Sequence, residues 1–560
     1  MAKIFDSILN SRLYDKNETL DLDDPCQFGF TPGANTTDCV FVLDTVISYQ
    51  RVKRKPVYLC FVDFTKAFDY INRNALYYKL MQQNIGKKML KIIISMYDKA
   101  KARVYQNGNI GESIDSKCGV LQGGILSPKL FNEFMSDLPN HLNRSDGLTL
   151  DNLTLTHILY ADDIVLIADS PEHLQNNINA LHNFCKKWHL IVNVNKTKVM
   201  QIDNKSQNSF KYDGDNLENV NSFKYLGHML TAKRNIHSKM SDYLMTQAQK
   251  ALFALQGDSK QALGHITPQL SMKMFDTYIL PILEFNCEIW ADKKAYNELE
   301  NIQLGYLKNM LGVRKQTPSL AVYGETGRFP LHVRQKVRLI NYWSKIINLS
   351  ENKILKKCLN VQKQMFKDGN RNNWLGKVYH ILNECSAECD MDNSEILNSV
   401  QISKIVKLKL YDMEQSKLID SINDSSQQPK LRTYKLFKTD CRLEPYLTLK
   451  LDRKLSTKIA RFRTSSHSLR IETGRHQKPI LPAPERICEK CTLDLVEDEI
   501  HCLIVCPSNS IQRNSLFLIA TKYIENFQAL DDISKFTTIM ECKEPELLIE
   551  FGKFLKHADV

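Results

Sequence analysis

No stretch of this 560-residue chain approaches the roughly 20 apolar residues that span a bilayer, and its apolar runs are as short as Ile92-Ile93-Ile94. The N-terminal segment, MAKIFDSILNSRLYDKNETL, sets acids where a secretory signal needs an apolar core, so the expectation is an intracellular protein without membrane contact. No repeat recurs at a fixed period, and the low-complexity content is confined to Ser425-Ser426-Gln427-Gln428-Pro429, which reads as a linker. Charge of one sign is also scarce: 75 Lys and Arg stand against 63 Asp and Glu, an excess that permits a polyanionic partner without demanding one. Hydrophobic residues at 43% and charged residues at 25% exclude wholesale disorder, collagen and coiled coil. Such a length accommodates roughly three to five domains with real cores.

Most of the 15 cysteines, Cys39, Cys60 and Cys185 among them, sit singly in apolar surroundings, where reduced core thiols are the natural reading. Four fall together between 488 and 506. The spacing Cys488-x2-Cys491-x9-His501-x4-Cys506 supplies three thiolates and one imidazole, the donor set of a closed, structural Zn²⁺ site. Cys502, beside His501, would face elsewhere.

Along the chain, Gly29, Pro32 and Gly33 mark a loop before an apolar helix, and Pro56 leads into the unbroken apolar run Val57 to Val62, a doubly buried strand. Asn107-Gly108 and Asp213-Gly214 signal turns. Leu174, Ile178, Leu181, Cys185 and Trp188 share one helical face. From about 235 to 415 the pattern is helical and Lys-rich, broken near Gly257, Pro268, Pro281, Pro318 and Pro330.

Two features carry chemistry. In Thr156-His157-Ile158-Leu159-Tyr160-Ala161-Asp162-Asp163-Ile164-Val165-Leu166-Ile167, two apolar strands flank adjacent acids, the shape of a hairpin with carboxylates at its tip; an ordinary Asp turn is the plain alternative. Asp63 ends the buried strand, where a helix N-cap is the alternative role; Asp69, six residues on, reads as structural. Carboxylates gathered from two strand ends repel unless a cation lies between them, and Mg²⁺ takes all-oxygen ligands. Between these acids, Gly119-Val120-Leu121-Gln122-Gly123-Gly124 feeds a helix with Ser127 as N-cap and Pro128 first inside.

FVDFTKAFDYINR, GVLQGGILSPKLFNEFMSDL and ILYADDIVLIA, in that order, resemble the palm motifs of reverse transcriptases, and QFGFTPGANTTD, LIVNVNKTKVM and SFKYLGHML are similar to flanking blocks of the non-LTR (LINE-type) retrotransposon branch. The likeness is dense from about 27 to 230 and looser through PILEFNCEIW and GETGRFPLHVR. It implies an α+β fold: partial fingers (1–55), palm (56–234), helical thumb (235–335), helical extension (336–480) and a zinc-knuckle region with C-terminal tail (481–560). It implies DNA synthesis from deoxynucleoside triphosphates on an RNA template, extending a DNA primer with two Mg²⁺ ions. Asp63 and Asp162 would bind metal, with Asp163 in support and the Phe64 carbonyl a further ligand. Phe68 would select deoxynucleotides; Gln122 and Gly123 would lie against the incoming base pair and template. Lys196 or Lys198 would approach pyrophosphate, and Phe223-Lys224-Tyr225-Leu226-Gly227 would hold the primer end. The knuckle would bind RNA, with Arg461, Arg463, Arg470, Arg475, Lys478 and Arg486 supplying charge.

The chain departs from the family at Leu121, where Arg is usual, and at Gly124, where Cys is common. Met1 lies 26 residues before Gln27, where the family has further fingers structure, so an N-terminally truncated member is expected. Two other readings stand beside the polymerase: a catalytically silent nucleic-acid-binding remnant, and an adaptor whose zinc site alone works.

Overall fold

Val57–Val62 forms strand β1, buried along its whole length, because both of its faces are covered. Tyr58, Cys60 and Val62 point into one core, while Phe61, on the opposite face, stacks on Phe223 with ring centroids 4.3 Å apart. A computed structural model describes residues 2–20, 24–204, 206, 208–262, 266–291, 293–387, 399–424 and 428–560. The chain divides into two units, Met1–Met240 with Glu288–Trp290 and Asn341–Glu384, and Ser241–Cys287 with Ala291–Ile340 and Cys385–Val560.

In the first unit, helices α1 (Ala2–Leu20) and α2 (Thr36–Val52) precede β1; α3 (Arg73–Gln82), α4 (Lys87–Asp98), the hairpin β2–β3 (Lys101–Gln106, Asn109–Asp115) and α5 (Ser127–Met135) follow it. Next come β4 (Leu148–Leu150), β5 (Leu153–Leu155), β6 (His157–Tyr160), β7 (Asp163–Ala168), α6 (Pro171–Trp188), β8 (Lys198–Ile202), β9 (Phe210–Tyr212), β10 (Asp215–Asn219), β11 (Ser222–Tyr225) and β12 (His228–Thr231). The main sheet runs β6-β7-β1-β8-β10-β9, antiparallel except where β10 meets β8. Helix α6 forms as its periodicity predicts: Ser170 caps it, and Leu174, Ile178, Leu181, Cys185 and Trp188 are buried, each contributing roughly 1.5–3 kcal/mol. The two expected turns form with positive φ at Asn107-Gly108 and Asp213-Gly214.

The loop before α2 also forms as expected and ends in a capping box between Asn35 and Asp38. Asp38, fully buried, accepts further hydrogen bonds from Tyr342 Oη at 2.8 Å and Lys345 Nζ at 3.0 Å. Three local expectations are revised. Leu126 takes the N-cap position of α5 and Ser127 is its first residue, because the Ser127 hydroxyl is spent on the Leu121 carbonyl at 2.6 Å. Helix Met240–Ala262 runs through Gly257, a glycine costing only about 1 kcal/mol inside a helix. Of the expected linker, residues 425–427 lie outside those described, and Pro429 opens a 3-10 turn, Pro429–Leu431.

The second unit is helical around a core that includes Leu307, Tyr434, Phe462 and Phe551. Within it Arg463 is buried and pairs with Glu325 at 2.8 Å and Glu444 at 2.7 Å. Among the described residues no helix is long and apolar enough to cross a membrane.

Candidate functional site

Strands β6 and β7 pair from His157↔Leu166 to Tyr160↔Asp163, leaving Ala161 and Asp162 as a two-residue turn with Ala161 at φ 58°. Asp162 therefore occupies the tip and Asp163 begins β7. On its other edge β7 pairs with β1 up to Val62↔Ile164, so the next residue along β1, Asp63, reaches the level of Asp163. Asp63 is not a helix N-cap, since the next helix begins at Arg73 with Asn72 as its cap.

The electrostatics report this crowding. Asp163 is pushed up to about 6, by desolvation and then by the charges of Asp162 and Asp63. Asp162 is raised by desolvation and by Asp63, against a backbone hydrogen bond that lowers it. Asp63 Oδ2 is buried without a hydrogen-bond partner. Lys196 Nζ stands 3.7 Å from it, on a side chain 69% exposed to water. Three acids at one sheet end, one with an orphaned oxygen, are costly as they stand and suit a hard divalent cation.

The backbone around Asp63 is fixed from the side of β8. Thr65 N–H donates to the Ile191 carbonyl at 2.8 Å and Asn193 N–H to the Asp63 carbonyl at 2.7 Å, while Asp63 N–H donates to Thr197 Oγ1 at 3.2 Å. These bonds flank the antiparallel bridge Phe64↔Val192. In such a pair the central residue's own groups point to the opposite edge, here the edge occupied by the β6–β7 tip. The Phe64 carbonyl is thus directed toward the acids.

Sequence reading missed the brace on the other side of the tip. Phe28 N–H donates to the Leu159 carbonyl and Leu159 N–H to the Cys26 carbonyl. Gln27 Oε1 accepts from Ala161 N–H at 3.2 Å. A Cβ on Gly29 would lie 2.1 Å from Ala161 N, so only glycine lets this segment approach the turn. QFGF carried the signal, but its target lies some 130 residues away.

The remaining candidates separate. Phe68 stacks on Phe131, centroids 4.3 Å apart, and meets Phe30 edge-on. Gln122 and Gly123 are exposed, with Gly123 at φ 81°. Of the two lysines, Lys196 faces Asp63, whereas Lys198 is held by Glu218 at 2.5 Å. Leu226 and Gly227 form the positive-φ turn of hairpin β11–β12. Tyr225 turns inward, buried and tilted against Phe61, so a ligand at this hairpin would meet the turn and not that ring.

In the second unit, the ligand atoms of Cys488, Cys491, His501 and Cys506 all lie within 4.8 Å of one another. The sulfurs of Cys488 and Cys506 are 4.0 Å apart, and Cys491 Sγ is 3.5 Å from His501 Nε2. A tetrahedral ion with bonds of about 2.3 Å to sulfur and about 2.0 Å to nitrogen spaces its donors about 3.8 and 3.5 Å apart, so the set fits. Asp498 Oδ1 accepts from His501 N–H at 2.8 Å. Cys502 is turned away, with its sulfur 3.6 Å from Asn509 Nδ2.

The basic residues expected around this cluster do not form a free surface. Arg463 and Arg486 are buried, the latter bonded to the Leu481 and Ile471 carbonyls. Arg461 donates to the Gly312 carbonyl, Arg470 pairs with Glu489, and Arg475 with Glu472. Another basic side chain of this unit is consumed internally: Glu499, wholly enclosed, takes Arg432 at 2.8 Å and is bonded to His467 Nε2 at 2.8 Å. Lys478 is exposed.

Residues 1–230 match the family described as reverse transcriptase (RNA-dependent DNA polymerase). Over this stretch the chain is similar to a reverse-transcriptase domain. The chain is 23% identical over 326 residues to the RNA-directed DNA polymerase from mobile element jockey of Drosophila funebris, covering 56% of this chain and 34% of that protein. It is 24% identical over 271 residues to the Pol polyprotein of the type-1 retrotransposable element R2 of Nasonia vitripennis, covering 46% and 25%. These relatives belong to the non-LTR branch that the motifs resemble, and the chain spans about a third and a quarter of their length. Among solved structures, apo telomerase from Candida tropicalis is 15% identical, with 72% of this chain and 61% of that one covered and a TM-score of 0.36.

Proposed function

We propose that the chain is an RNA-directed DNA polymerase of a non-LTR retrotransposon, extending a DNA primer on an RNA template with deoxynucleoside triphosphates. The observation that carries this reading is the orphaned, buried Oδ2 of Asp63 beside two carboxylates of raised pKa. Asp63, Asp162 and the Phe64 carbonyl would hold Mg²⁺, with Asp163 in support at the root of the turn. When bound, two such ions supply charge neutralisation and polarisation for in-line phosphoryl transfer.

The chain's own groups do the positioning. Phe68, stiffened by its stack on Phe131, would close the pocket against a ribose 2′-hydroxyl. The exposed Gln122 side chain and Gly123 backbone would lie along the nascent base pair, and Lys196, mostly in water, would meet the phosphates leaving the site. The β11–β12 turn would hold the primer end through its backbone, with Phe223 packed on Phe61 beneath it. Fingers (1–55), palm (56–234), thumb (235–335), extension (336–480) and knuckle (481–560) divide the work accordingly. Cys488, Cys491, His501 and Cys506 would hold a structural Zn²⁺, whose four protein donors leave no open position. With the neighbouring arginines engaged by backbone carbonyls and acids of the same unit, RNA contact there falls to exposed groups such as Lys478.

The test is primer extension on an RNA template with Mg²⁺, comparing the chain with Asp162→Ala. Extension that the substitution abolishes supports the proposal. Extension by neither protein, with RNA still retained, transfers the support to a silent binding remnant.

A further inference from the structure

Arg73 lies 7% exposed at the start of α3 and spends all five of its N–H donors. Nε donates to the Gly119 carbonyl at 2.9 Å, Nη1 to the Tyr97 carbonyl at 2.8 Å and to the Ser116 carbonyl, and Nη2 to Ser116 Oγ at 2.8 Å and the Cys118 carbonyl at 3.1 Å. Its guanidinium also lies over the Tyr97 ring, 5.2 Å from the centroid. Four of the five bonds reach the segment that leads into Gln122. A rigid planar fork with no spare donor fixes that segment in a way a lysine cannot.

The same segment is sewn to the stretch containing Phe68. Val120 N–H donates to the Phe68 carbonyl at 2.9 Å and Gly119 N–H to the Ile71 carbonyl at 2.8 Å. Gly119, at φ 75°, approaches so closely that a Cβ would lie 2.6 Å from the Asp69 carbonyl. Beyond it, Asp69 Oδ1 accepts from Gln122 Nε2 at 2.8 Å. The Phe68 ring and the Gln122 amide are therefore two parts of one braced piece.

We propose that Asp69 and Arg73 are positioning residues that latch the Gly119–Gly124 loop onto the Phe68 segment, so that the sugar-facing ring and the base-pair-facing amide meet an incoming deoxynucleotide at a fixed spacing. This rests on the polymerase reading. Arg73 sets the backbone and Asp69 sets the side chain. Neither touches the reacting atoms.

Single-nucleotide extension by the full chain, together with hydrogen–deuterium exchange of residues 116–124, tests the latch. Asp69→Ala is expected to raise the KM for the deoxynucleotide roughly tenfold, the size of one charge-assisted hydrogen bond at a partly exposed site, while kcat changes less than about twofold. Asp69→Asn, which still presents an acceptor but no charge, is expected to recover part of that loss, with a KM about threefold above wild type. Arg73→Lys is expected to speed exchange across 116–124 about tenfold and to leave β1 and β7 unchanged. An unchanged KM in Asp69→Ala, an Asn variant no better than Ala, or unaltered exchange in Arg73→Lys overturns the proposal. A wild-type chain that extends no primer instead sinks the polymerase reading and the nucleotide role with it, while exchange still reports whether the latch exists.

Discussion

Replacing Asp163 by Asn should stabilise the metal-free protein at neutral pH, an unusual outcome for a substitution at a functional site. The folded chain holds this carboxyl's proton up to about 6, against an ordinary value of 3.8, which disfavours ionisation by at most about 3 kcal/mol. The side chain is exposed, and solvent screening reduces this to about 1 kcal/mol. Because the raised value belongs to the folded state, the penalty is fully present above about pH 6 and vanishes below about pH 4. Thermal denaturation in Mg²⁺-free buffer should therefore show Asp163→Asn melting roughly 2 °C above wild type at about pH 7.5, with the gap closing as the pH falls toward 4. Added Mg²⁺ should reverse the order, since an ion bound by the native state stabilises the wild type more. A variant equal to or less stable than wild type at every pH would refute the argument that desolvation and the neighbouring acids penalise this charge.

At the brace, Gly29→Ala would drive a methyl into Ala161, 2.1 Å from its nitrogen; a loss of about 2 kcal/mol by urea denaturation is expected, with primer extension reduced in parallel. In the second unit, Glu325→Ala leaves the buried Arg463 with only part of its compensation and should cost about 3 kcal/mol, read as a lowered urea midpoint. Cys491→Ser should remove one equivalent of zinc by elemental analysis, whereas Cys502→Ser, whose sulfur lies outside the cluster, should retain it.

What the chain declares in its order of residues is whatever depends on near neighbours. The Val57–Val62 run is unbroken because both faces of β1 are covered, and the acids of Tyr160-Ala161-Asp162-Asp163 stand out because two apolar strands isolate them. The Cys/His spacing is legible since a metal tolerates few donor geometries. Contacts between distant segments leave no such trace. Gly29 meets Ala161, Arg73 spans to Ser116 and Gly119, and Arg463 finds Glu325 from 138 positions away. That last pairing shows why one arginine of a stretch that looked like a nucleic-acid surface is internal: the acid that consumes it comes from elsewhere. Lys198 shows the same effect in miniature, since Glu218 takes it and leaves Lys196 to face Asp63.

The central claim is that the ends of β1 and of the β6–β7 turn share one cation. Replacing Mg²⁺ with Fe²⁺ and adding hydrogen peroxide, with ascorbate to re-reduce Fe³⁺, splits the peroxide into hydroxide and a hydroxyl radical at the bound ion and cuts the backbone nearby. The account predicts paired cuts around residues 63 and 162, both suppressed by excess Mg²⁺ and by Asp162→Ala, while any cutting near the Cys488 cluster persists. Cleavage at one of the two segments without the other, or paired cuts that survive Asp162→Ala, would contradict it.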